Sequence, residues 1–268
     1  LVTAAGLAAA APGPAAPAPR LGDDAVPTAE VVRLRLDPDR PGYSGTVRVE
    51  IAVRKATPRL RLHGAQRIER AVLSGPAGPV AVTPSQDGVL LTLTAARPLP
   101  PGSYTLTLDF RAELGTRAVG LYRMVQEGRG YVFTQFEPAD ARLAFPCRDE
   151  PGFKIPYQLT VEVPAGQEAV SNTPVESDRT SGALRTIAFR RTRPLPSYLL
   201  ALAVGPLESV PIPGLGVPGR VVTPRGQKHL AARAVEMAPP IMKALEAYFG
   251  GPYPYEKLDL IAVPEYWP

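Results

Sequence analysis

Gln135 and Glu137 stand two residues apart near the end of an extended run, YVFTQFEPADARLAFPCRDEPGFKIP (Tyr131 to Pro156), and their types and spacing point to binding chemistry. Side chains alternate faces along an extended chain, so both share the face of Tyr131 and Phe133, while Val132, Thr134 and Phe136 take the other. The first face therefore passes from aromatic packing to an amide and a carboxylate. Pro138 ends the run, because proline cannot donate to a ladder. A carboxylate at the mouth of a strand, with a neutral amide two residues before it, can hold a small cation or a protonated amine. The structural alternative is an ion pair between Glu137 and Arg142 or Arg148, the usual role of a charged side chain in a folded protein.

The remaining reactive side chains form no constellation. Cys147 is the only cysteine, which excludes an intrachain disulfide. Between Phe145-Pro146 and Arg148-Asp149 it reads as a small buried hydrophobe rather than a nucleophile. His63 closes the alternating segment RLRLH and His229 opens a helix, so both read as surface or element-end residues, and two isolated histidines make no metal motif.

The elements that must position Gln135 and Glu137 are mostly strands. From Val31 the pattern has period two (VVRLRLDP, GTVRVEIAV, LRLHG, AVLSG, GVLLTLT, SYTLTLDFRAEL), each run bounded by turn signals such as Pro41-Gly42, Asp87-Gly88 and Pro101-Gly102. Half-buried antiparallel strands in two stacked or curved sheets are expected, continued by YQLTVEVP and GALRTIAFRRT. PLPSYLLALAVGPLE (194–208) reads as a strand buried on both sides and ended by Gly205-Pro206; VPIPGLGVPG (210–219) reads as a linker. In QKHLAARAVEMAPPIMKALEAYFGG, Leu230, Ala234, Met237, Ile241, Leu245 and Tyr248 recur at helical spacing, with Pro239-Pro240 expected to kink or divide the helix and Gly250-Gly251 to stop it. KLDLIAVPEYWP is a last strand.

Composition excludes several classes. The chain has 268 residues, 45% of them hydrophobic, enough for one large or two ordinary domains, and its 33 prolines and 24 glycines favour turns and short strands over long helices. The formal charge of +5 is spread along the sequence without a basic cluster interleaved with aromatics, so nucleic-acid binding is not expected. No window is apolar for the length needed to cross a bilayer as a helix. Residues 1–20 read as the apolar and small-residue parts of a secretory signal, which implies export to periplasm or exterior, or else as a disordered alanine and proline tail, which leaves a cytoplasmic location open.

The run TQFEPADARLAFPCRDEPGFK resembles the end of the amino-terminal domain in the aminopeptidase N and leukotriene A hydrolase family of zinc metallopeptidases, the gluzincins. YSGTVRVEIAV (43–53), PLPSYLLALAVGPLE (194–208) and YFGGPYPYEKLDLIAVPEYWP (248–268) fit in the same order. The resemblance implies a mainly β fold: a saddle-like antiparallel β-sandwich amino-terminal domain (21–208), followed by the truncated start of an α+β, thermolysin-like catalytic domain (209–268). It implies peptide substrates with a free amino terminus, whose α-amine Glu137 binds while Gln135 lines the same pocket, and a zinc ion held by the rest of the catalytic domain in a full-length parent. The family's G-x-M-E-N and H-E-x-x-H motifs do not occur in this sequence, so no catalytic residue, metal ligand or bound cofactor is assigned to the chain and it is expected to be inactive alone. The alternative is a non-catalytic relative whose β domain serves as a binding or scaffold module. An unrelated carbohydrate-binding sandwich would call for exposed aromatics, and the single tryptophan, Trp267, lies outside the β region.

Overall fold

The computed structural model describes residues 20–264, so the leader-like segment and the last four residues fall outside the described residues. In chain order the strands are β1 (Ala25–Arg35), β2 (Gly42–Val53), β3 (Thr57–His63), β4 (Arg67–Gly75), β5 (Gly78–Val80), β6 (Val82–Asp87), β7 (Leu90–Leu99), β8 (Gly102–Glu113), β9 (Gly120–Gln126) and β10 (Arg129–Gln135). A loop follows, and then β11 (Lys154–Ile155), β12 (Tyr157–Pro164), β13 (Glu168–Ser171), β14 (Val175–Ser181), β15 (Leu184–Phe189), β16 (Leu195–Pro196) and β17 (Leu202–Gly205). The chain continues through β18 (Leu207–Pro211), β19 (Gly219–Pro224), helix α1 (Ala232–Phe249) and β20 (Leu258–Ile261).

The frame is an eight-stranded sheet in the order β14-β15-β12-β1-β2-β8-β4-β5. Its alternation is strict: Val32, Leu34, Val47, Val49, Leu106 and Leu108 are buried on one face, while Arg33, Arg35, Arg48 and Arg111 stand outward. The inner face shares one core with Leu60 and Leu62 of β3, Leu91 and Leu93 of β7, and Val132, Leu202 and Val204 of β10 and β17. The second layer thus consists of the β3-β7-β6 sheet and the four-stranded β13-β17-β10-β9 sheet. The protein is mainly β, as the period-two pattern predicts, and most pairs are antiparallel. Two are not: β1 runs parallel to β12 and β19 parallel to β20. Alternation within a strand carries no information on the direction of its neighbour, so sequence patterning could not reveal this.

Two further expectations change. The apolar run 194–208 is not one strand; Leu195–Pro196, a 3-10 turn at Ser197–Leu199, β17 and β18 divide it. Of the kink or division expected at Pro239 and Pro240, the division does not occur: helix α1 runs through both. Adjacent prolines remove the donors to only two neighbouring carbonyls, and Ala231 and Ala238 pack on Ile212 and Val221 to hold the helix against β18 and β19. Gly250 ends it in the left-handed conformation, at φ +72°. Of the residues spaced for an apolar stripe, Leu230 lies in the 3-10 turn Lys228–Ala231 before the helix and the rest along it, yet Leu230, Ile241, Leu245 and Tyr248 are exposed, as is Phe249.

Glu30 of β1 is buried, 1% exposed, with both carboxylate oxygens lacking a hydrogen-bond partner, beside Tyr157 of β12, whose hydroxyl is also unpartnered. Burial, reinforced by the nearby Asp149 charge, pushes its carboxyl well above the ordinary range, so Glu30 folds as the neutral acid. Between the unfolded value of about 4.3 and the raised folded value, the unfolded chain ionises while the folded one retains its proton, so this residue's contribution to stability falls as pH rises, by about 1.4 kcal/mol per unit. Glu30→Gln removes that dependence: denaturant melts from pH 4 to pH 8 should show the variant gaining on the native chain as pH rises, and parallel curves would refute a neutral Glu30.

Candidate functional site

Strand β10 is buried on both faces. Val132 enters the main core, whereas Tyr131 and Phe133 join a second core with Tyr122, Leu207 and Val222, against which Ile261 and Val263 also pack. The Tyr131 and Phe133 rings stack with centroids 6.3 Å apart. The face that carries Gln135 is therefore turned toward the three-stranded β18-β19-β20 sheet and the chain that follows β20.

Regular pairing stops where the polar residues begin. β10 pairs with β17 only at Val132↔Val204 and Phe133↔Ala203. Beyond that, the Thr134 hydroxyl substitutes for the ladder, accepting the Leu202 N–H at 2.9 Å. On the other side Gln135 faces Gly120 of β9, a residue at φ +70° whose missing Cβ would lie 2.8 Å from the Leu143 Cβ. Only glycine meets both conditions, and it brings the loop after β10 against the strand end.

That loop, 136–150, is fastened by polar groups that are buried. The Arg142 side chain donates through Nε to Asp149 Oδ2 at 2.8 Å and through Nη2 to the Asp149 carbonyl at 2.5 Å, and its backbone N–H reaches the same Oδ2 at 3.1 Å. Ser197 Oγ donates to the other carboxylate oxygen at 2.5 Å. The Asp149 N–H donates to His63 Nδ1 at 3.2 Å, and His63 and Cys147 exchange backbone hydrogen bonds of 2.8 and 2.9 Å. Tyr43 and Gln66 donate to the carbonyls of Ala144 and Arg142. Phe136 packs edge-on against Phe145 at 6.0 Å.

Both arginines expected as alternative partners for Glu137 are engaged elsewhere. Arg148 binds Glu150 at 2.6 Å and Asp23 at 3.0 Å, with its guanidinium 4.2 Å over the Phe153 ring. Glu137 is exposed on the rim one residue beyond buried Phe136, and the Glu137–Pro138 peptide is cis. Neither Gln135, half-buried, nor Glu137 makes a side-chain hydrogen bond or ion pair with any described residue. The carboxylate is thus free to accept from a ligand.

His63 is buried, not a surface residue; it does end its strand, and its place in the loop fastening explains the burial. Cys147 is fully buried, and that burial raises its thiol well above the ordinary range, which suits an inert hydrophobe. No three histidine, cysteine, aspartate or glutamate side chains among the described residues are arranged to hold a metal ion. The described residues also include no helix long and apolar enough to cross a membrane. Sequence reasoning missed the Arg142–Asp149–Ser197–His63 network. Its only local signal was the seven-residue spacing of Arg142 and Asp149, and Ser197, from a 3-10 turn, and His63, from the end of β3, lie far away in sequence.

Several antiparallel sheets without a closed barrel, with one helix packed against a small mixed sheet, define a mainly β, multi-sheet protein. The chain belongs to the Peptidase M1 N-terminal domain family, which residues 26–199 match. Aminopeptidase M1-A of Oryza sativa subsp. japonica is 35% identical over 248 residues, covering 87% of this chain and 28% of the relative. Aminopeptidase N of Acetobacter pasteurianus is 31% identical over 248 residues, covering 89% and 69% respectively. Glutamyl aminopeptidase of Bos taurus is 33% identical over 241 residues, covering 84% and 25%. Against the plant relatives the chain spans 28 to 30% of their length.

Arg142→Met strands the buried Asp149 carboxylate and should destabilise the chain by about 3–5 kcal/mol in urea titrations. Glu137→Gln, at an exposed side chain without a partner, should stay within about 0.5 kcal/mol. A large loss in the second variant would make Glu137 a structural residue.

Proposed function

We propose that the chain is the amino-terminal portion of a zinc-dependent aminopeptidase that removes the first residue of peptides, and that Glu137, with Gln135 beside it, anchors the substrate's free α-amine. One observation carries this reading: the carboxylate at the rim of β10 has neither of its candidate arginines as partner, at the end of a strand whose Gln135 face looks toward the unit that begins after β17. An N-terminal ammonium is compact and strongly hydrated, so drawing it out of water requires charge-assisted hydrogen bonds from carboxylates. Glu137 supplies one negative acceptor, and Gln135 supplies an amide oxygen that accepts a second N–H. A site that binds a terminal ammonium confines cleavage to the first peptide bond.

The relatives' names support the peptidase class, and the family supports zinc in a full-length parent. Zinc, when bound, supplies the activated water for peptide hydrolysis. The described residues offer it no ligand set, so we assign the metal to the remainder of the catalytic unit and expect no hydrolysis from this chain alone. We divide the chain near 208/209, within β18, the first strand of the three-stranded sheet that follows β17 of the four-stranded one, and read residues 1–20 as an export leader from their alanine-rich apolar composition.

In an intact parent enzyme, Glu137→Ala should lower kcat/KM for substrates with a free α-amine by roughly 10- to 100-fold, the loss of one or two charge-assisted hydrogen bonds of about 1.5–3 kcal/mol, with zinc content unchanged. Equal turnover by variant and parent would remove Glu137 from the amine site.

A further inference from the structure

The exposed large apolar side chains of the described residues concentrate in one place. Leu230, Ile241, Leu245, Tyr248 and Phe249 lie in α1 or the turn before it, with Tyr248 82% and Phe249 77% exposed, while the β layers carry only scattered ones such as Val125 and Val175. Ile241, Leu245 and Tyr248 are spaced by four and three residues, which sets them in one stripe, and the Tyr248 and Phe249 rings meet edge-on at 5.1 Å. Glu236 and Lys243, a whole number of turns apart, take the opposite side of the helix. Ala238 is the one buried residue of α1, so the half of the helix beyond it has nothing to bed on among the described residues.

A second opening lies in the same unit. β20 is an edge of the β18-β19-β20 sheet and pairs with β19 alone among the described strands. The Leu258 and Ala262 N–H groups donate toward β19, so the alternate residues Asp259 and Ile261 turn their backbone groups to the free edge. Parallel strands are seldom left open in this way, and an open edge is a template for a further strand. A contiguous apolar patch likewise marks an interaction site, unlike apolar residues scattered singly. Within α1, Arg233 and Lys243 are balanced by Glu236 and Glu246, so the helix has no excess of positive charge to draw it to an anionic bilayer. The occupant favoured by the relatives is more of the same polypeptide. The matching family is that of an N-terminal domain, it ends at residue 199, ahead of α1 and β20, and the chain spans only 28 to 30% of its plant relatives. Consecutive elements are usually neighbours in space, and a chain continuing from β20 meets both openings without a long connection.

We propose that the Ile241–Leu245–Tyr248 stripe of α1 and the free edge of β20 together form the seat for the polypeptide that follows residue 268 in a longer parent, whose apolar side chains cover the stripe and whose backbone extends the sheet. The inference rests on reading the chain as the first part of such a parent, and not on the role of Glu137. The seat also has a positioning effect. Val222 of β19 shares a core with Tyr131 and Phe133 of β10, and Ile261 of β20 packs against it, so whatever docks on the helix and the edge is held at a set place relative to the β10 rim.

The test is maleimide labelling of the intact parent, followed peptide by peptide by mass spectrometry. Leu245→Cys and Tyr248→Cys are compared with Arg48→Cys and Val175→Cys, exposed positions on the eight-stranded sheet. The α1 positions should react at least about tenfold more slowly than the sheet positions in the native parent, and equally fast once it is unfolded in denaturant. Benzoylphenylalanine introduced at position 248 should, on irradiation, cross-link to a peptide beyond residue 268 of the same molecule. Equal labelling at all four positions in the native parent overturns the proposal, as does capture of a second copy with protection that vanishes on dilution. Glu137→Ala kinetics report on a separate matter: full activity of that variant would sink the amine anchor and leave the seat standing, whereas free labelling of α1 in a fully active parent would sink the seat alone.

Discussion

The buried pair between Arg142 and Asp149 is the constraint on which the region around β10 depends. Both partners lie in one loop, yet their remaining hydrogen-bonding capacity is met from outside it, by Ser197 and His63. The pair therefore does more than close a turn. It draws three separated parts of the chain to one point beneath the strand end, and the loop's own carbonyls are then taken by Tyr43 and Gln66. A buried ion pair is a poor source of net stability, because desolvation offsets most of the attraction. Its effect here is to select one geometry: with both charges satisfied internally, the loop has a single low-energy path, and Glu137 is left as the charged group that this path turns outward.

How far this was legible in the sequence differs from element to element. The strands were legible because valine, leucine and threonine alternate with polar residues over long stretches, and the two faces of β10 could be assigned in advance from the same parity. The direction of β12 beside β1 was not legible, since parity is blind to polarity. His63 ends its strand as the alternating run before it indicates, but its burial is not legible there; it follows from Cys147 and Asp149, which approach from far along the chain. The choice between an ion pair and a free carboxylate at Glu137 could not be made from spacing either. Arg142 and Arg148 are both near enough in sequence, and only their engagement with Asp149, Glu150 and Asp23 decides the matter.

Two parts of the chain meet along β10, and they are tied by more than apolar contact. Lys257, just before β20, donates to the Ser171 carbonyl at 2.6 Å and to Asp259, whose carboxylate also accepts from Arg220 at 2.8 Å. Arg190 reaches Glu256 at 2.9 Å. Desolvation lowers the Lys257 ammonium below its ordinary range, though Asp259 opposes the shift. The small mixed sheet is thereby held against the edge of the four-stranded one, so the rim of β10 keeps a defined attitude toward whatever follows β20.

The parallel pairing of β1 with β12 also has a temporal meaning. The first strand of the frame finds one of its two neighbours only after well over a hundred further residues have been made, so the central sheet cannot be completed during early synthesis. Until then β1 has only its hairpin partner β2, and the loop after β10, which already has Tyr43, His63 and Gln66 to bind, still lacks the Ser197 hydrogen bond to Asp149. Closure of the central sheet thus awaits the late-made β12, and the Asp149 carboxylate beneath the rim awaits Ser197, made later still.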